Sequence, residues 1–132
     1  MRLLNTADTQ RISPSDIADI VAEHLTIWNS PAGEERSRSI AATYSDDVLV
    51  AEADAVNHGY EGAEKAIDAL QAALPETRLE LDGPIQTVQD LSTYSWTLGP
   101  AGGAPVATGR DVITVQDGVL KSVYVLIDAP QQ

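Results

Sequence analysis

Apolar residues at Ile17, Ile20, Val21, Leu25 and Trp28 recur at the i, i+3, i+4 spacing of one buried helical stripe. Just before them, Ser13 offers a hydroxyl N-cap, Pro14 fits the first helical position and Asp16 places an acid three residues after the cap. A first helix is therefore expected from Ser13 onward, preceded by a polar arm over residues 1–12, and His24 falls on its apolar stripe. The SPAG turn at 30–33 breaks the pattern. Ile40, Ala41 and Tyr44 then predict a shorter second helix, ended by Ser45, Asp46 and Asp47.

From Val48 to Ala55 the chain alternates, which predicts a strand with Val48, Val50, Glu52 and Asp54 on one side. Two carboxylates would then share a face with two valines. A third helix is expected over 62–74 on the stripe Ala63, Ala66, Ile67, Leu70 and Leu74, with Pro75 as its stop. The remainder alternates in short runs over 78–88, 91–98, 106–116 and 119–127. Asp117 and Gly118 are a two-residue hairpin signal, and the glycine-rich stretch 99–105 is a looser hairpin loop, so these strands form an antiparallel meander.

The length of 132 residues suits one domain spanning 1–132, and the formal charge of -12 repels phosphate backbones and anionic membrane surfaces. No nucleic-acid or membrane partner is expected. The sequence contains no cysteine, which removes disulfides, thiolate metal sites and thiol nucleophiles. Its start lacks the apolar core of a signal peptide, and no stretch approaches the roughly 20 apolar residues of a membrane span. A cytoplasmic protein is the expectation. With two histidines and no HxxxH or HxH spacing, no metal is expected, and the glycine-rich loop lacks the strand-to-helix context of a phosphate cradle. No GxSxG elbow is present.

The order of these elements, with the runs YSDDVLVAEAD and NHGYEGAEKAI followed by the meander, resembles the nuclear transport factor 2-like superfamily, which includes ketosteroid isomerases and SnoaL-like polyketide cyclases. The resemblance implies an α+β fold: a curved antiparallel sheet wrapped around about three helices of the N-terminal half, cone-shaped, with a central pocket. It also implies a homodimer through the sheet, whose second face carries Tyr124 and Leu126. When YSDDVLVAE is laid on the isomerase pattern, Glu52 takes the place of the general base, or Asp54 if the register slips by two. His24, four residues before Trp28, lies where those isomerases carry an oxyanion-binding tyrosine. Thr114 occupies the position of their second oxyanion donor, a protonated acid, and there the chain departs from the isomerase pattern. Gly109, Arg110 and Asp111 ahead of Asp117 and Gly118 are similar to SnoaL-like proteins, in whose cyclases a late-strand aspartate acts as acid and base. Asp111 is its nearest match.

Each candidate has a plainer competitor. His24 on an apolar stripe fits a satisfied core histidine as well as a pocket donor. Glu52 and Asp54 fit a solvated face, although a carboxylate on an apolar face has its pKa raised by desolvation, as a general base near neutral pH requires. His58, in a loop before the third helix, fits a surface residue or cap. Trp28, Tyr44, Tyr94, Trp96 and Tyr124 fit a cavity wall or simply core or subunit interface, with Val112, Val123, Val125 and Ile127 as the aliphatic part of such a wall, and alternation puts Asp111 and Thr114 on opposite faces unless a bulge intervenes. Three functions follow: a cofactor-free acid/base enzyme on a small hydrophobic carbonyl or polyketide-like compound, a binding protein using the same cavity, or a dimerisation module with a filled pocket. The enzyme reading covers isomerisation, cyclisation, dehydration and epoxide opening.

Overall fold

A computed structural model describes residues 14–128; the expected polar arm and the Ser13 cap lie outside the described residues. Helix α1 (Pro14–Trp28) is followed by α2 (Glu34–Thr43), the strands β1 (Tyr44–Glu52) and β2 (Ala55–His58), and helix α3 (Gly59–Ala73). Four strands complete the fold: β3 (Thr77–Val88), β4 (Leu91–Pro100), β5 (Ala107–Gln116) and β6 (Val119–Ile127). They form a six-stranded sheet in the order β2-β1-β6-β5-β4-β3. The meander is antiparallel as expected, but β1 runs parallel to β6, which makes the curved, open sheet mixed rather than antiparallel throughout. This is the α+β arrangement the chain order implies.

The first half departs from the periodicity at three places. Helix α2 stops at Thr43, and the chain is extended from Tyr44, whose backbone N–H still caps the helix on the Ile40 carbonyl while Tyr44 itself is buried and paired with Leu120 of β6. Strand β1 ends at Glu52, where Ala53 and Asp54 turn the chain back into β2 with Glu52 opposite Ala55. Asp54 thus sits in the turn and shares no strand face with Glu52. Helix α3 begins at Gly59, three residues before the apolar stripe suggested.

Alternation fixes the inner face of the sheet. Tyr94, Trp96 and Leu98 of β4, Asp111, Ile113 and Val115 of β5, and Val48 and Val50 of β1 are all buried. The helices close over them, α1 against β3 and α3 against β1 and β2. The α1 end is finished by side chains: Gln71 Nε2 donates to the carbonyls of Trp28 at 3.0 Å and Ser30 at 2.7 Å, and buried Arg36 donates to that of Ser30. Arg36 also pairs with Glu64 and Asp68, tying α2 to α3. Asn29 accepts from the Leu79 amide and donates to its carbonyl at 2.8 and 2.9 Å, which satisfies the outer edge of β3 beside the helix.

Glycine is required at two points. Asp117 and Gly118 both have positive φ, 55° and 81°, the backbone of a type I′ hairpin turn. At Gly109, paired with Trp96 across β4 and β5, a Cβ would lie 2.4 Å from the indole of Trp96 and from the Leu126 carbonyl oxygen. The bare backbone lets Trp96 lie flat across the sheet. Among the described residues no helix is long and apolar enough to cross a membrane.

Candidate functional site

Between the helices and the concave sheet lies a cavity of about 90 Å³, lined by His24 and Trp28 of α1, Glu52 of β1, Leu70 of α3, Leu74, Leu79 of β3, Trp96 and Leu98 of β4, Ala107 and Asp111 of β5, and Val125 and Ile127 of β6. The helical stripe brings His24 and Trp28 to it, and strand alternation brings Trp96, Asp111 and Val125. Most of the wall is apolar. Its polar groups are one imidazole, two indole N–H groups and two carboxylates.

Asp111 anchors the polar floor. Its carboxylate is buried and accepts from Tyr94 Oη at 2.7 Å and His24 Nε2 at 3.3 Å on Oδ2, and from Trp96 Nε1 at 2.9 Å on Oδ1. Behind His24, Nδ1 meets Tyr44 Oη at 2.6 Å, and Trp28 Nε1 donates to that same oxygen at 3.0 Å. Counting protons assigns the tautomer. A Tyr44 hydroxyl that accepts from Trp28 satisfies its own proton by donating to Nδ1, so His24 carries its proton on Nε2 and passes it toward Asp111. Burial raises the Tyr44 phenol far above its ordinary value, and Tyr94 is raised by burial first and by the Asp111 charge second. Both are neutral hydroxyl donors at any physiological pH.

Glu52 is the other carboxylate on the cavity. It is half-buried, and its pKa is raised, chiefly by desolvation and then by the charge of Asp54. No hydrogen bond or ion pair holds its side chain among the described residues. Asp111, in contrast, is held by three protein donors.

Other expected site residues go elsewhere. Asp54 is exposed in the β1–β2 turn and acts on the cavity only through its charge on Glu52. Tyr44 stands behind the wall, bonded to two lining side chains. His58 is exposed on β2 at the far edge of the sheet. Val112 and Thr114 alternate with the inward Asp111 and Ile113 and so lie on the outer face, where Thr114 Oγ1 bonds Ser122 Oγ at 2.5 Å. Thr114 therefore offers no donor to the cavity. Val125 and Ile127 line the wall, whereas Val123 is core. Tyr94, expected among the wall aromatics, is not among the lining residues; what sequence reasoning missed is its hydroxyl bond to Asp111, which stands directly opposite in the β4–β5 register. Among the described residues no cluster of three or more His, Asp or Glu side chains is placed to hold a metal ion.

The fold has many solved counterparts. A candidate isomerase of the SnoaL-like family from Agrobacterium tumefaciens superposes with a TM-score of 0.80 at 22% identity, covering 87% of this chain and 99% of that one. A candidate SnoaL-like polyketide cyclase from Jannaschia gives 0.71 at 15% identity over 90% and 91% of the two chains. A candidate ketosteroid isomerase from Kribbella flavida gives 0.69 at 13% identity over 90% and 82%. The chain thus has the nuclear transport factor 2-like fold. No family model and no curated protein matches its sequence.

Proposed function

We propose that the chain is a cofactor-free acid/base enzyme of the isomerase, cyclase, dehydratase or epoxide-opening class, with Glu52 as the group that exchanges a proton with a small, largely apolar substrate. The observation that carries this reading is the pairing of two unlike carboxylates on one apolar cavity: Asp111 held by three protein donors, Glu52 without a partner among the described residues and with a raised pKa. A base works best when its pKa lies near the operating pH, and desolvation moves Glu52 in that direction. The structural neighbours, two described as candidate isomerases and one as a candidate cyclase, support the same class.

The cavity electrostatics sort the reactions within that class. Enolate-forming isomerisation and aldol cyclisation need a donor for a developing oxyanion, and the His24 proton expected to serve is already given to Asp111. Dehydration and epoxide opening build positive charge on carbon, which two carboxylates and two indoles favour. These reactions are the better fit. The test is a screen of small epoxides, tertiary alcohols and ketones followed by NMR, repeated with Glu52→Gln. Loss of Glu52 should reduce turnover by about 10²- to 10⁴-fold, the scale of one general acid or base; a hit turned over at the full rate by Glu52→Gln would refute the role.

A binding protein is the second reading, favoured by the engagement of both His24 nitrogens within the protein. It predicts ligands that are never converted and whose affinity survives Glu52→Gln.

A further inference from the structure

We infer that the cavity recognises a small apolar amine in its protonated form. The inference names the ligand class of the cavity and rests on the reading of that cavity as the ligand site.

Among the lining side chains only His24, Trp28 and Trp96 carry N–H groups, and each is spent: Trp28 Nε1 on Tyr44 Oη, Trp96 Nε1 on Asp111 Oδ1, and His24 Nε2 on Asp111 Oδ2. No lysine or arginine lines the cavity. Acceptors, in contrast, are left over. Asp111 Oδ1 receives one bond and keeps a lone pair, and the Glu52 carboxylate receives none among the described residues. A carbonyl or carboxylate ligand would find no side-chain donor here, whereas an N–H group finds two acceptors.

Charge selects the cation among donors. Asp111 is held by the Tyr94 hydroxyl, the Trp96 indole and His24 Nε2, and no lysine or arginine is paired with it among the described residues. Its sequence neighbour Arg110 points to the outer face and bonds Thr93 Oγ1 and Ser95 Oγ at 3.1 and 2.9 Å. Glu52 lies beside a further acid, Asp54, and the whole chain carries -12, which concentrates cations around it. The two indoles add the aromatic surface over which an ammonium is attracted. Size then limits the body. At about 90 Å³ the cavity is smaller than the ~150 Å³ apolar cavity that accommodates benzene, which suits a short branched alkyl group.

Isobutylammonium is therefore the probe. The chain has two tryptophans, and both line the cavity, so intrinsic fluorescence reports occupancy directly. The full chain is titrated at pH 7 and fixed ionic strength with isobutylammonium chloride, isobutanol, methyl isopropyl ketone and sodium isovalerate. Expected are a Kd for isobutylammonium about 10-fold or more below those of the other three, and about a 10-fold weakening of it in Glu52→Gln. If the ketone or isovalerate binds as tightly, the amine assignment is overturned while the acid/base reading of the cavity stands. Equal binding of isobutanol overturns the requirement for charge. Isobutylammonium affinity unchanged in Glu52→Gln places the cation on the acidic surface and overturns the site. Silence from all four probes removes both the amine inference and the reading beneath it.

Discussion

Replacing Tyr44 by Phe tests the proton order of the buried network with little change in packing. Tyr44 is 1% exposed and its hydroxyl serves two partners, accepting from Trp28 Nε1 at 3.0 Å and donating to His24 Nδ1 at 2.6 Å. Phenylalanine keeps the ring and removes only the oxygen. It leaves one donor and one acceptor unpaired in a site closed to water, and each such group costs about 1 to 3 kcal/mol. The loss should fall at about 2 to 6 kcal/mol, a large share of the roughly 5 to 15 kcal/mol that holds a domain together. Urea unfolding followed by circular dichroism measures it, with a midpoint shift of about 1 to 3 M expected at an m-value near 2 kcal/mol/M. The exposed outer-face hydroxyl of Tyr124 is the control, and Tyr124→Phe should change stability by no more than about 0.5 kcal/mol. Nitrogen-15 NMR of His24 reads the tautomer independently: Nε2–H in the parent chain, a mixture in Tyr44→Phe. A loss below about 1 kcal/mol would mean that other groups take over both bonds. An Nδ1–H signal in the parent chain would refute the proton order itself.

Gly109→Ala should be among the most damaging single-methyl additions, because the new Cβ meets the Leu126 carbonyl oxygen, held in the β5–β6 ladder, and the Trp96 ring at 2.4 Å each. Overpacking alone costs about 1 to 3 kcal/mol and release of the Trp96–Asp111 hydrogen bond adds to it; urea unfolding gives the loss, and a red-shifted tryptophan emission shows whether Trp96 has left the cavity. For Glu52 the sign follows from its raised folded pKa: between the unfolded and folded values the native state holds more protons, so its contribution to stability falls as pH rises through that window. Glu52→Gln should therefore gain stability relative to the parent at pH 7, and the gap should close on acidification below the ordinary glutamate value near 4.5, read from paired urea midpoints. Asp54→Asn removes the secondary cause of the shift and should move the Glu52 carboxyl titration, followed by carbon-13 NMR, back toward that ordinary value.

Legibility tracked how local each determinant was. The α1 stripe, the β3–β6 alternation and the Asp117–Gly118 turn are encoded within a few residues, and they deliver His24, Trp28, Trp96, Asp111 and Val125 to one cavity. Strand β2 was not legible because its four residues, largely exposed at the sheet edge, carry no apolar alternation, and the turn before it at Ala53–Asp54 has no glycine, proline or asparagine to mark it. Asp54 was consequently carried on into a strand that had already ended. Placing Val112 and Thr114 at the pocket set aside the alternation that Asp111 itself obeys, and the period of two decided against them. The parallel β1–β6 pairing joins segments some seventy residues apart, a contact that pattern within either strand does not specify.

Tyr94 shows what lies between those cases. Its hydroxyl matters only because Asp111 is its direct partner across the hairpin, and that register depends on how the glycine-rich 99–105 loop closes. The consequence reaches the chemistry. A lone buried carboxylate costs several kcal/mol in desolvation and would take up a proton instead of remaining charged. Three donors from two elements, His24 of α1 with Tyr94 and Trp96 of β4, offset that cost for Asp111, and they use up two of the cavity's three side-chain N–H groups, Tyr44 taking the third from Trp28. The network that satisfies Asp111 is therefore also the one that takes most of the cavity's donors. A ligand entering it meets one carboxylate bound by protein donors and one with no partner among the described residues, and it is this division of labour, more than the shared fold, that underlies the proposed preference for positive charge on the bound molecule.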